Sequence, residues 1–274
     1  PSLEDMPVVV APEFGEEPRV RVYSPEGELK HSFLAYGEGF RGGARAAIGD
    51  IDGDGEMEIV TAAGPTGGPH VRVFEQDGRL IDHFFAYDES LRSGLYVAAG
   101  DVDGDGRAEI AVSQDKGAEG LVRIFEPDGQ QLLNVQPFGA TSRSVRVAIA
   151  NDQIVVSQGS GADSTVQLYS ITGELTQSFL TYGEGYRGGV FVTASDVDGD
   201  GADEIVTGTD VGGGPHVRIF ETDGALRGTF FAFDEQLRRG VRVMSAGSII
   251  IARDLNTVRL YDYRGTLTEE LNVE

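Results

Sequence analysis

Gly49-Asp50-Ile51-Asp52-Gly53-Asp54-Gly55-Glu56-Met57-Glu58-Ile59-Val60-Thr61 decides how this chain is read. The stretch returns almost unchanged from Gly100 to Ile110 and again from Ser195 to Ile205. Counting from the first aspartate, carboxylates fall at positions 1, 3, 5 and 9 and glycines at 4 and 6. The acids are Asp50, Asp52, Asp54 and Glu58, then Asp101, Asp103, Asp105 and Glu109, then Asp196, Asp198, Asp200 and Glu204. Acids on alternate residues repel one another unless a cation sits between them. A hard cation with a flexible shell of oxygen ligands suits this spacing, and Ca²⁺ is the ion expected. The expected shell adds the main-chain carbonyl at position 7, from Glu56, Arg107 and Ala202. Glycine at position 6 permits the sharp turn that folds the acids inward.

An EF-hand loop also begins D-x-D-x-D-G, but it needs a bidentate Glu at position 12. Thr61, Val112 and Thr207 stand there instead. The flanks, Ala46-Ala47-Ile48 and Ile59-Val60-Thr61, are short β-like runs and not amphipathic helices. The loop therefore belongs in a hairpin.

A second marker shows that the whole chain is repetitive. A β-rich run precedes a turn glycine at Val20-Arg21-Val22-Tyr23 with Gly27, Val71-Arg72-Val73-Phe74 with Gly78, and Val122-Arg123-Ile124-Phe125 with Gly129. It continues at Val166-Gln167-Leu168-Tyr169 with Gly173, Val217-Arg218-Ile219-Phe220 with Gly224, and Val258-Arg259-Leu260-Tyr261 with Gly265. The interval between glycines is 51 residues wherever an acidic loop intervenes, and 44 or 41 where none does. Asn151-Asp152 replaces the loop in the first short interval and Ser245-Ala246-Gly247 in the second. The loop is thus an insertion into a hairpin that forms with or without it.

Each repeat reads as four short strands: one before the loop, one after it, the Val-Arg-Val-Phe run, and a run such as Leu80 to Tyr87. Six such units predict an all-β chain, a single β-propeller domain over 1–274 of about six four-stranded blades. The blades are expected at 1–43, 44–94, 95–144, 145–189, 190–240 and 241–274. Blade one is the irregular member. Pro7 to Ala11 matches a second strand, so only Pro1 to Met6 remains to serve as the first. Leu267 to Glu274 supplies a fourth strand for blade six.

The D-x-D-G-D-G-x-x-E loop between two strands is followed, in two copies, by Ile-Val-Thr and a glycine-rich turn. Those turns are Gly64-Pro65-Thr66-Gly67-Gly68-Pro69 and Gly212-Gly213-Gly214-Pro215. The combination resembles the FG-GAP/VCBS-type repeat of integrin α-subunit propellers and bacterial surface proteins. That resemblance implies a propeller with Ca²⁺ in loops between the first and second strands, and roles in adhesion or ligand binding, with some members attached to enzymes. The shortened copies at Asn151 and Gly247 depart from the pattern and remove a metal site from their blades.

A net charge of −23 argues against nucleic acid and anionic membrane surfaces as partners. No apolar run is long enough to insert into a bilayer. The chain begins at Pro1 with no signal-like segment, which reads as a processed or excised piece. Without cysteine there is no thiol nucleophile, and His31, His70, His83 and His216 fall into no triad-like grouping. His70 and His216 read as turn residues and not as zinc ligands. The expected function is a non-catalytic ligand-binding or adhesion module of a secreted or cell-surface protein, because such loops fill at extracellular calcium levels. A lectin or a propeller-type polysaccharide lyase is the alternative.

A second repeated element links one blade to the next: Tyr36-Gly37-Glu38-Gly39-Phe40-Arg41 and its relatives ending at Arg92, Arg187 and Arg238. Blade three keeps only Arg143. Arg41, Arg92, Arg143, Arg187 and Arg238 are candidates to bind an acidic protein or glycan ligand. The competing reading pairs each, Arg143 excepted, with the Glu three residues earlier to pin adjacent blades. Arg21, Arg72, Arg123, Arg218 and Arg259 alternate with Val or Ile on the third strands and are expected to snorkel outward.

Overall fold

The computed structural model describes residues 6–141, 143–255 and 257–272, which form strands and turns with no helix. The chain divides into two compact units, Asp5–Val147 and Ala148–Glu274. In the first, β1 (Val8–Val10), β2 (Arg19–Tyr23) and β3 (Leu29–Leu34) form a three-stranded antiparallel sheet. Next come β4 (Ala44–Gly49), β5 (Glu58–Ala63), β6 (His70–Phe74) and β7 (Leu80–Phe85), then β8 (Leu95–Gly100), β9 (Glu109–Gln114), β10 (Val122–Phe125) and β11 (Gln131–Val135). β12 (Val145–Ala150) spans the division and opens the sheet completed by β13 (Gln153–Gln158), β14 (Thr165–Ser170) and β15 (Leu175–Leu180). The second unit continues with β16 (Val190–Ser195), β17 (Glu204–Thr209), β18 (His216–Phe220) and β19 (Leu226–Phe231). It ends with β20 (Arg242–Ala246), β21 (Ile249–Asp254), β22 (Thr257–Tyr261) and β23 (Leu267–Asn272).

Six antiparallel sheets, each wound up and down in sequence order, are the blades of a β-propeller. The first has three strands; of the segment Pro1 to Met6, expected to serve as its first strand, positions 1–5 lie outside the described residues.

Burial falls off across a blade. The second strands β5, β9 and β17 are buried at every residue, because each has a sheet face on both sides. The third strands alternate, burying Val71 and Val73 in β6 while Arg72 is half-buried. The fourth strands are mostly exposed. Within each unit the core lies between successive sheets. Val60, Val71 and Val73 meet Leu95, Ile110 and Phe125 in the first, and Val206, Val217 and Ile219 meet Val243, Ile250 and Tyr261 in the second.

The turn glycine that marks each repeat has a packing reason. Gly78 has φ of +91°, and a Cβ there would lie 2.6 Å from the Phe33 side chain of the preceding sheet. Gly129, Gly224 and Gly265 press in the same way on Phe84, Phe179 and Phe230. Those rings in turn contact the last aromatic of the next third strand, with Phe33–Phe74 and Phe84–Phe125 centroids both 4.9 Å apart. A β-bulge between third and fourth strands recurs in all six sheets, just past that turn.

Four of the five third-strand arginines stack on a blade surface, as expected, but do not snorkel outward. Arg72, Arg123, Arg218 and Arg259 turn back onto the preceding sheet, each donating Nη1–H to the carbonyl just past its fourth strand: Ala35, Ala86, Thr181 and Ala232, at 2.8 to 2.9 Å. Their guanidinium carbons stand 4.6 to 5.1 Å over the rings of Tyr36, Tyr87, Tyr182 and Phe233. Those carbonyls lie beyond the strand ladder and the ring faces are electron-rich, which offsets the loss of water around a head whose Nε, in Arg72, Arg123 and Arg218, is buried without a hydrogen-bond partner. Tyr87 completes the joint by donating its hydroxyl to Val112 O at 2.8 Å or Leu121 O at 3.0 Å. Replacing Gly78 by Ala should cost at least about 1 kcal/mol in chemical denaturation, since it adds both backbone strain and a clash with Phe33. An unchanged midpoint would show that the Phe33 contact is not tight.

Candidate functional site

The three acidic loops join the first and second strands: β4 to β5, β8 to β9, and β16 to β17. Each is held by its own carboxylates. The position 1 aspartate accepts the N–H groups of positions 4 and 6: Gly53 and Gly55 on Asp50 at 2.8 and 3.0 Å, Gly104 and Gly106 on Asp101 at 2.6 and 2.9 Å. Gly199 and Gly201 do the same on Asp196 at 2.7 and 3.0 Å. Both glycines have positive φ, 81° and 90° in the first loop, which allows successive N–H groups to turn inward.

The carboxylates at positions 1, 3 and 9 come together. In Asp50/Asp52/Glu58, Asp101/Asp103/Glu109 and Asp196/Asp198/Glu204, one oxygen from each residue lies within 4.8 Å of the others. Position 5 stands apart from that group. Asp54, Asp105 and Asp200 instead accept the N–H of position 7, Glu56, Arg107 and Ala202, at 2.8 to 3.0 Å.

The position 9 glutamate distinguishes these loops from ordinary acidic turns. Glu58, Glu109 and Glu204 are 2%, 0% and 0% exposed. One oxygen accepts the N–H of position 2, from Ile51, Val102 and Val197 at 2.7 to 3.0 Å. The other oxygen of Glu109 and of Glu204 is buried with no hydrogen-bond partner. Burial, with the nearby aspartates adding to it, pushes all three carboxyls up to about 7. A buried carboxylate with an orphaned oxygen beside two more carboxylates has the donor set of a divalent-cation site, and the residues present fit Ca²⁺.

Neighbouring loops are joined. Ala108 of the second loop donates its N–H to Asp50 O of the first at 2.7 Å. In the second unit, Asn151 takes the part of the missing loop. Its N–H reaches Asp203 Oδ2 at 2.6 Å, and Asp203 N–H reaches Asn151 Oδ1 at 3.1 Å.

Glu75, Glu126 and Glu221, which directly follow the third strands, escaped the sequence reading. The charge of Glu126 helps push up Glu109, and that of Glu221 helps push up Glu204, both after burial. The signal was present in the sequence: Phe-Glu ends the third strand in every repeat with an acidic loop, and Tyr-Ser or Tyr-Asp in every repeat without one. An open cleft of about 600 Å³ lies beside the first loop, bordered by Asp54, Glu56, Glu75 and His31.

The candidate arginines lie at the other end of each sheet, because up-and-down winding puts the first loop and the link to the next sheet at opposite ends. Arg41, Arg92, Arg187 and Arg238 share one geometry, which differs from the expected ion pair. Nη1–H bonds the main-chain carbonyl of the Glu three residues back, and also the carbonyl of the preceding residue at 2.7 to 2.9 Å. The carbonyls converge inside the turn, whereas an exposed carboxylate gains little from leaving water. Their own main-chain carbonyls accept N–H groups from the second-to-third strand turn, as in Thr66 to Arg92 O and Gly212 to Arg238 O, both 3.0 Å. All four side chains are exposed. Arg143 is exposed too, but its turn lacks the Glu, and its N–H bonds Thr141 Oγ1 at 3.2 Å.

His70 and His216 stack on Phe85 and Phe231, with centroids 4.7 and 4.6 Å apart. Burial, with Arg72 and His83 adding to it, pushes His70 down to about 4. Among the described residues no helix is long and apolar enough to cross a membrane.

Sheets wound in this order, with an oxygen-rich loop between first and second strands, define a β-propeller of the loop-bearing type. Residues 50–112 match the FG-GAP-like repeat family, and the sheets that carry them are those of a β-propeller. No curated protein matches it in sequence. Among solved structures it is similar to a protein of unknown function from Bacteroides caccae, at 12% identity and a TM-score of 0.63 over 98% of this chain and 94% of that one. It is also similar to virginiamycin B lyase from Staphylococcus aureus, at 12% identity and 0.57 over 100% and 86%. BBS1N, in complex with ARL6DN, is similar at 13% identity and 0.54 over 98% and 75%. Likeness at these identities is one of fold alone.

A carboxyl raised from its ordinary 4.5 to about 7 keeps its proton in the folded chain and loses it in the unfolded chain between those values. That contribution to stability is fully present below pH 4.5 and is lost as pH rises through 7. The metal-free chain should therefore melt at a higher temperature at pH 5.5 than at pH 8. A calorimetric Tm that rises over this interval in EDTA would contradict the burial of these three glutamates.

Proposed function

We propose that this chain is a calcium-stiffened, non-catalytic recognition module of a secreted or surface-exposed protein, and that its arginine turns meet an acidic ligand. One observation carries the metal half of this reading: Glu109 and Glu204 are buried, each with an oxygen that nothing in the protein satisfies, beside two aspartates of the same loop. Asp50, Asp52 and Glu58, with their counterparts in the other two loops, would hold Ca²⁺, with positions 5 and 7 completing the shell. The ion supplies charge neutralisation, so that three carboxylates can stay ionised where one of them is out of water. Loops of carboxylate and carbonyl oxygen fill at the calcium concentrations found outside cells, which is the basis for the compartment.

The ligand half rests on the arginine turns. Two carbonyls fix each guanidinium while the head remains exposed, so little side-chain freedom is lost when an acid docks against it. BBS1N, similar in fold and in complex with ARL6DN, is one case of such a fold with a partner. The likeness to virginiamycin B lyase is one of fold and by itself supports no activity for this chain.

Titrating Ca²⁺ into chelator-stripped chain should release binding heat in the calorimeter and raise Tm, and EDTA should reverse both. No heat and no shift in Tm would end the metal reading. Replacing Arg92 and Arg187 together by Ala should weaken binding to an array of acidic glycans and acidic peptides at least tenfold, with Tm little changed. A large fall in Tm with binding retained would make the turns structural.

A further inference from the structure

The three acidic loops are alike in sequence, but the third has a neighbour that the others lack. In every sheet one fourth-strand residue is extruded at the β-bulge, where the register skips a position. In the loop-bearing sheets these residues are Ile81, between Leu80 and Asp82, Leu132, between Gln131 and Leu133, and Arg227, between Leu226 and Gly228. The bulge holds the residue at the same end of the sheet as the acidic loop. At that position the first two loop-bearing sheets carry an apolar side chain and the third a guanidinium, and among the described residues it is this guanidinium that pairs with a carboxylate of a triad.

Arg227 reaches into the third loop. Its Nη2 contacts Asp198 Oδ2 and stands 3.9 Å from Asp200 Oδ2, while its Nε is 2.9 Å from Glu221 Oε1. The contact covers the position 3 carboxylate: Asp198 is half-buried, whereas Asp52 and Asp103 in the other loops are exposed. Asp198 also belongs to the triad with Asp196 and Glu204. One tethered cation thus engages a triad carboxylate, the position 5 carboxylate and the extra glutamate behind them.

From this geometry we infer that Arg227 is a built-in competitor for the cation of the third loop, so that the third loop binds Ca²⁺ more weakly than the first two. The inference rests on the metal reading above. A tethered guanidinium is present at a high effective concentration whatever the salt, and an incoming ion must displace it from Asp198 or share the loop with a like charge. The first two loops then act as permanent fasteners, and the third fills only at higher calcium, releasing Arg227 as it does so.

Calorimetric titration of Ca²⁺ into the chelator-stripped full chain tests this. The expected wild-type isotherm has two tighter sites and one weaker site, and Asp196→Asn should abolish the weaker site alone. Arg227→Leu, which gives the bulge the side-chain type found at Leu132, should tighten that site at least about tenfold, equivalent to about 1.4 kcal/mol. Arg227→Gln should act in the same direction and keeps a polar residue, should the Leu variant fold poorly. Three sites of equal affinity in wild type, unchanged by either substitution, would overturn the inference and leave the metal reading standing. A third site that is weakened or lost in the Arg227 variants would overturn it too, by making Arg227 a support of the loop. If none of the loops took up Ca²⁺ in any variant, the metal reading itself would fall, and this inference with it.

Discussion

Within each unit, no sheet has a face that can be left to water. The second strands β5, β9 and β17 are buried throughout, and β13 and β21 at all but their end residues, so each must be covered on both sides. The joint between neighbours repeats: an arginine of one third strand crosses to the carbonyl just past the previous fourth strand and lies over an aromatic ring there. A turn glycine presses on a phenylalanine of the same preceding sheet. Apolar burial supplies most of the driving force, and the polar joint sets the register in which it is realised.

That construction frees both ends of each sheet from a role in the core. The acidic loops occupy one end and the arginine turns the other. In a chain of net charge −23, this sorts the chemistry within each sheet. One end holds charge that needs neutralising, and it does so with one glutamate withdrawn from solvent in each loop. The other end holds positive charge already fixed by main-chain carbonyls. The acidic loop and the exposed arginine turn can then vary independently, since they share strands but no side chains.

Much of this was legible in the sequence, and particular residues show how much. The marker glycines at positions 27, 78, 129, 173, 224 and 265 located six repeats because a turn with positive φ recurs at a fixed place, and at 78, 129, 224 and 265 it is also pressed against a ring. The loops were legible because carboxylates on alternate residues with glycines between them are too costly to recur without a use. Less legible were the arginines. Period-two alternation puts Arg72 on a face opposite Val71 and Val73, but it does not say whether that face meets water or the preceding sheet. Glu126 and Glu221 were missed for a related reason, since each reaches its loop from a different turn of the same sheet.

By itself, the sequence determined the blade count and the place of the loops, because these follow from local periodicity and turn chemistry repeated along the chain. Tertiary structure alone decided which carboxylates converge, that positions 1, 3 and 9 meet while position 5 stands aside, and that Arg227 lies against only one of three near-identical loops. Those outcomes depend on which side chains a bulge or a neighbouring sheet brings within a few ångströms, and such distances are set by packing between segments far apart in the chain.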